Sequence, residues 1–329
     1  MPTIGLLGDV MLGRGVAGRI GEGAPEDVWA PEVRELCCGC DLVICNLECC
    51  LSARGRPIER VRDKPFFFRG PPEATRSVRA IGVTVAGLAN NHALDYESEA
   101  LIDTLDLLGE AEIAVVGAGP DRAAARAGAV IDVPEGRLGL VALADHPAEF
   151  AADADQPGIA YADLRRGLPE WVEAELARTR ERCDWLIAFP HWGPNMTAEP
   201  AGWQRRAAAA MQGAGADLVA GHSSHLFHGV GWGARGPLLF DLGDALDDYR
   251  VDPRLRNDLG VLAIWRPGDP EAELELVGLE LDFCHTRIAE GEDAEWIARR
   301  LERACLELGT RVERTSQRRF RVHRADQPG

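Results

Sequence analysis

Positive charge is in short supply in this chain. Lysine and arginine total 36 against 53 aspartates and glutamates, and the formal net charge is −17. Such a surface repels phosphate at most approaches, which excludes a general nucleic-acid or anionic-membrane binder. Long hydrophobic runs are missing too, so nothing in the sequence is fit to cross a bilayer, and the chain enters an apolar run without a basic leader. The expectation is a soluble, cytoplasmic protein with no membrane and no nucleic-acid partner. Internal repeats and low-complexity linkers are absent. So are two separated C-x-x-C pairs: of nine cysteines, Cys37, Cys38, Cys40, Cys45, Cys49 and Cys50 crowd one stretch with spacing that suits a structural zinc poorly. Packing is the expected role of this group, with Cys45 a small core residue inside a strand.

What the sequence does hold is apolar mass and a repeated grammar. At 329 residues and 46% hydrophobic, it can bury a large core. Thr3–Gly8 runs into Asp9, and Asp41–Cys45 into Asn46-Leu47-Glu48. Val83–Leu88 leads to Asn90-Asn91-His92 and Asp95, Trp185–Phe189 to His191-Trp192-Gly193, and Ala216–Ala220 to Gly221-His222-Ser223-Ser224-His225. Short aliphatic runs without strict alternation read as strands buried on both faces. Helical patterns lie between them, over about Glu97–Leu108, Leu168–Arg182 and Ala201–Gly213, and Pro71-Pro72-Glu73 reads as a helix start. The sum is an α/β fold with polar residues at strand carboxyl ends, the rim where open α/β sheets bind ligands.

After Gly221 the pattern becomes strand-rich: Leu226–Trp232, Pro237–Asp241, Leu259–Trp265 and Leu274–Leu281, then a helix over Asp293–Leu308. Two packed sheets with helices outside satisfy both halves. One domain over 1–310 is expected, followed by a basic tail over 311–329. Arg311, Arg314, Arg318, Arg319, Arg321 and Arg324 make that tail read as a solvated segment able to dock an acidic partner.

Five ordered motifs carry a resemblance: Gly8-Asp9-Val10-Met11-Leu12-Gly13, Asn46-Leu47-Glu48, Ala89–Asp95, His191-Trp192-Gly193 and Gly221–His225. Together they resemble the CapA family of poly-γ-glutamate capsule biosynthesis proteins, within the calcineurin-like metallophosphatase superfamily. The resemblance runs from the first strand to about Asp244. It implies a four-layer αββα sandwich with a divalent-metal site at the strand ends, two ions of Mn, Zn or Fe, and no organic cofactor. Carried over motif by motif, Asp9 and His225 serve a first metal, Glu48 bridges, and Asn91, His191 and His222 serve a second. His92 and Asp95 follow as acid–base or supporting partners, with helix capping and a simple turn as their plainer readings. Such a mixed N/O donor set suits those metals.

Departures from the family pattern matter as well. Met11 stands where hydrolytic relatives have a histidine, implying a thinner shell for the first metal. Asn195 replaces a glutamate and Ser224 a proline, while Asp241-Leu242-Gly243-Asp244-Ala245 stands for Ser-Leu-Gly-Asn-Phe. The reading placed first is metal-assisted Cα epimerisation of a peptide substrate, as in tailoring of ribosomal (lasso-type) precursor peptides. Asp9, His92, Asp95 and His285 are its proton-transfer candidates, with His228 another. Phosphoester hydrolysis, poly-γ-glutamate processing and a non-catalytic binding role are the alternatives.

Overall fold

The computed structural model describes residues 1–269 and 273–324. Along the chain run β1 (Ile4–Val10), α1 (Arg14–Glu22), α2 (Pro31–Cys38), β2 (Leu42–Leu47), α3 (Thr75–Ala80), β3 (Val83–Gly87), α4 (Glu97–Glu110) and β4 (Ala114–Val116). There follow α5 (Arg122–Arg126), β5 (Ala129–Val133), β6 (Gly136–Ala144), α6 (Glu170–Arg180), β7 (Trp185–His191), α7 (Gly202–Gly213) and β8 (Leu218–Ala220). The last third holds β9 (Val230–Trp232), β10 (Pro237–Leu239), β11 (Asp244–Leu246), β12 (Leu259–Trp265), β13 (Leu274–Leu281), β14 (Thr286–Ile288), α8 (Gly291–Glu307), β15 (Thr310–Arg314) and β16 (Arg319–Arg324).

Two sheets carry the architecture. The larger has the order β15-β16-β13-β12-β1-β2-β3-β4, with β11 paired to β1 and β14 to β13. Its β1–β4 half is parallel and its β12–β16 half antiparallel. The smaller has the order β9-β10-β8-β7-β6-β5. Helices α2, α3 and α4 pack on the larger sheet, α6 and α7 on the smaller, which gives the αββα order of layers.

Strand β7 shows why the sheets stack this way. Ile187 and Phe189 join the core between the sheets, whereas Leu186 and Ala188 join a second core beneath α6 and α7. Successive side chains point to opposite faces, so a strand covered on both sides must be apolar at every position. Each such fully buried Leu, Ile or Phe contributes about 1.5–3 kcal/mol. The sheets approach closely where Gly87 faces Phe189; a Cβ on Gly87 would sit 2.9 Å from the ring. Both sheets point carboxyl ends of their parallel strands to one rim.

The basic segment is not a solvated tail. Residues 310–324 form the hairpin β15–β16 on the edge of the larger sheet, with Phe320 and Val322 in the core. Its arginines pair with local acids, Arg314 with Glu295 and Arg319 with Glu275 among them. Alternation in Arg319-Phe320-Arg321-Val322 carried the strand signal that the arginine count hid. The rest of the expected tail, 325–329, lies outside the described residues. The expected strand over Leu226–Trp232 shortens to β9, because the stretch before it is loop. Among the described residues no helix is long and apolar enough to cross a membrane.

Candidate metal centre

Asp9 lies near the end of β1, where the pairing register with β2 and with β11 shifts. Gly8 makes this possible, since a Cβ there would lie 1.9 Å from the Gly243 carbonyl oxygen. Such an irregularity re-aims the next side chain, and the Asp9 carboxylate points into the space between the sheets. Asn46 Nδ2 donates to its Oδ1 at 2.6 Å, and the Ser223 backbone N–H to its Oδ2 at 3.2 Å.

The smaller sheet brings imidazoles to the same point. His191 ends β7, and His222 follows β8 with its N–H donating to the Pro190 carbonyl. Their Nδ1 atoms are 2.9 Å apart, and His222 Nδ1 is 3.5 Å from Asp9 Oδ1. His225 takes a left-handed backbone conformation, φ +61°, as does Ser223 at +118°. Strain of this kind persists where surrounding contacts impose it. It leaves His225 Nδ1 2.9 Å from Asp244 Oδ1 and 3.8 Å from Asp9 Oδ2.

Two donor sets result, and they share Asp9. One is Asp9, His191 and His222; the other is Asp9, Glu48, His225 and Asp244, with ligand atoms in each set within 4.8 Å of one another. Whether these residues fit a cation is tested by what they leave unpaired. Glu48 Oε1, Asn91 Oδ1, His191 Nε2, His222 Nε2 and Asp244 Oδ2 are all buried without a hydrogen-bond partner. Buried polar atoms are nearly always paired, and four of these orphans, on Glu48, His191, His222 and Asp244, belong to the donor sets, which calls for a missing partner. Burial pushes the Asp9 carboxyl up to about 7 against the pull of His225, and raises Glu48 and Asp244 likewise. Burial also drives His191 and His222 to the neutral form, His222 to about 3. Neutral imidazole is the metal-binding form, and a divalent cation would hold the carboxylates ionised. The residues fit the group.

Asp244 was not among the expected ligands. It opens β11 opposite Asp9, at a strand's start rather than its end, where the sequence showed only a departure from a Ser-Leu-Gly-Asn-Phe pattern. Its carboxylate fills out the set that Met11 was expected to leave thin. Met11 itself is buried, with its sulfur accepting the Gly13 N–H.

Around the donors stand the proton-carrying groups. His92 Nδ1 lies 2.5 Å from Asp95 Oδ2, its ring stacks on Phe68, and its Nε2 is 3.9 Å from Glu48 Oε1. Burial lowers His92 to about 4 despite Asp95. On the other Glu48 oxygen the Tyr249 hydroxyl donates at 3.1 Å, and burial holds that phenol protonated. A second His–Asp pair, His146 with Asp145, follows β6, its ring 5.4 Å from that of His191. Tyr249, Asp145 and His146 carried no motif, although the last two follow a strand as the others do.

The structure does not bring His285 or His228 to this centre. His285 has Arg19, Asp282, Arg287 and Glu32 as its charged neighbours, so it faces α1 and α2. His228 is buried against the Thr197 carbonyl and Ser224 Oγ. Asn195 sits 3.1 Å from His225 Nε2. A cavity of about 340 Å³ opens beside His92 and His225, walled by Phe66, Phe68, Tyr249, Arg14, Arg250 and Asn257. Arg14 lies within 6 Å of three of those rings and pairs with Asp248. Arg250 is exposed.

Comparison with known proteins identifies the family. A probable polyglutamine synthesis accessory protein of Mycobacterium tuberculosis is 31% identical over 286 residues, covering 83% of this chain and 74% of that protein. The capsule biosynthesis protein CapA of Bacillus anthracis is 26% identical over 251 residues, 75% of this chain and 60% of its own length. Among solved structures, a phosphatase from Mycoplasma pneumoniae superposes with a TM-score of 0.49 at 14% identity, covering 85% of this chain and 88% of that one. The model of the bacterial capsule synthesis protein family PGA_cap matches residues 3–249. The chain belongs to that family.

Proposed function

We propose that this protein is a metal-dependent enzyme acting on a peptide-type substrate that carries a carboxylate, and that it exchanges the proton at a Cα. The observation that carries this reading is the pair of donor sets sharing Asp9 beside a cavity with arginine and aromatic walls. Arg250, exposed beside the cavity, suits a carboxylate, the rings suit side chains or peptide planes, and among the described residues no acidic side chain lines the cavity. The names of the mycobacterial and Bacillus relatives, concerned with polyglutamine synthesis and capsule formation, support a chain of amide-linked residues.

Bound divalent ions supply Lewis acidity, which polarises a carboxylate or carbonyl oxygen and acidifies the neighbouring C–H. Asp9, Glu48, Asp244, Asn91, His191, His222 and His225 would hold them. The chain's own residues handle the proton. Asp95 accepts the N–H on His92 Nδ1, leaving Nε2 free as a base. Tyr249, on the opposite oxygen of Glu48, keeps its proton and is the matching acid. Removal by His92 on one face and return by Tyr249 on the other would invert the centre, proton exchange of both groups with solvent would reset them, and no organic cofactor is needed. Tyr249 thus takes the second proton-transfer role for which the sequence offered His285, His228 and Asp9 as candidates.

A second reading, phosphoester hydrolysis, is favoured by the His92–Asp95 pair, which resembles a general acid beside a leaving group. That role needs a protonated imidazole, and burial of His92 works against it. The deciding experiment is incubation of the manganese- or zinc-loaded protein with carboxylate-ended peptides and glutamate oligomers in D2O, followed by mass spectrometry. Metal-dependent entry of one deuterium at a Cα, lost in His222→Ala, is the expected result. Turnover of an aryl phosphate with no exchange in any peptide would overturn the reading in favour of hydrolysis.

A further inference from the structure

The sequence contains a single lysine, Lys64, among 36 basic residues. Its side chain is also buried, only 7% exposed, and lies against the segment that carries Asn91, His92 and Asp95. Its Nζ donates to the backbone carbonyl of Asn91 at 2.7 Å and lies 2.9 Å from Asp95 Oδ1. It is 3.5 Å from His92 Nδ1 and sits over the rings of Phe67 and Phe150. The choice of an ammonium over a guanidinium has a physical reason: three short contacts converge on one small volume, which a planar fork of five donors would overfill.

Lys64 belongs to the loop between Leu51 and Arg69, which carries Phe66 and Phe68 of the cavity wall. Further bonds join this loop to the segment that follows β3. The Phe68 N–H donates to Asp95 Oδ2 at 2.6 Å and the Ile58 N–H to the Asp95 carbonyl at 2.9 Å. Asp95 is fully buried, and Lys64 is the cation that pairs with it. A buried carboxylate stripped of its cation is strongly disfavoured.

We propose that Lys64 is a positioning residue: through Asn91 and Asp95 it fixes the segment presenting the Asn91 amide and the His92 imidazole, and ties the cavity wall to it. The consequence for proton exchange rests on the function proposed above; the placement itself does not.

The single lysine makes the test clean, because Lys64 carries the one ε-amine in the sequence. The zinc-loaded wild-type protein, folded and unfolded in urea, is treated briefly with an amine-acetylating reagent, and labelling of Lys64 is compared by peptide mass spectrometry. Lys64 should react at least about tenfold more slowly in the folded protein, and Asp95→Asn should erase most of the difference. Next, imidazole 15N resonances of His92, assigned by their loss in His92→Gln, are recorded in Lys64→Met and Lys64→Arg. They should move in Lys64→Met at unchanged zinc content and lie nearer wild type in Lys64→Arg. Where Cα exchange is measurable, kcat should fall about tenfold or more in Lys64→Met, with a smaller change in KM. Equal acetylation of Lys64 in the folded and unfolded protein would overturn the proposal, as would a His92 signal indifferent to Lys64→Met. If no peptide exchanges deuterium, the functional reading fails while acetylation and resonance still decide the role of Lys64.

Discussion

The two sheets contribute opposite chemistry to one site. The larger supplies acids: Asp9 from β1, Glu48 just past β2, and Asp244 from β11. The smaller supplies the imidazoles of His191, at the end of β7, and of His222 and His225, past β8. Neither sheet alone holds a complete set, because each donor group in the centre draws on both. A cation bound there would therefore cross-link the layers, and its binding energy would be available to the folded state only.

The comparison breaks most completely at Asp9, the one residue in both sets. Asp9→Ala should abolish tight metal binding and all turnover, read by metal analysis of the purified protein. His222→Ala and Glu48→Gln should each impair one side, so that their metal contents fall to different extents. Equal, complete loss in both would mean that the two sets act as a single site. Asn46, which bonds Asp9 without being a ligand, predicts a smaller effect: Asn46→Ala should weaken metal affinity about 10–100-fold by titration.

Acidity sharpens the contrast further. Burial raises Asp9 to about 7 in the metal-free fold, above the ordinary value of 3.8. The native state then holds a proton that the unfolded chain gives up, so the stability this group contributes is complete below about pH 4 and lost as pH rises through 7. Glu48 and Asp244 are shifted the same way. The buried imidazoles of His191, His222 and His92 pull the other way, so the test is a difference: between pH 5.5 and 8 the metal-free wild type should lose more stability than Asp9→Asn, and saturating metal should remove that difference. At the far edge of the larger sheet, Arg318→Ala removes an exposed ion pair with Glu290, and should change stability by under about 0.5 kcal/mol in chemical denaturation.

Much of this was legible because buried parallel strands announce themselves. Runs such as Trp185–Phe189 are apolar at every position, so the polar residue that ends each run stands out, as Asp9, Glu48, His191 and His222 did. Asp244 did not stand out, since it starts a three-residue strand after a turn and its partner β1 is more than two hundred residues away. Lys64 and Tyr249 lie in loops, where no periodicity ranks one residue above another. His285 misled for the opposite reason: it follows a strand, β13, but that strand lies two places from β1, and the side chain faces α1 and α2. Strand ends define a rim, and only packing decides which part of the rim faces the site.

The match to the family model stops at residue 249, yet β12 begins at Leu259 and pairs antiparallel with β1 along Ile4–Leu6. The strand bearing Asp9 thus leans, on one side, on a segment that the model does not reach. A ladder of backbone bonds asks little of side-chain identity beyond apolarity, which lets such a segment drift in sequence while the layer it completes stays whole. A chain cut at 249 would keep every ligand named above and leave β1 with a bare edge. Such an edge invites pairing with other molecules, so residues 1–249 on their own would aggregate before they could assemble the centre.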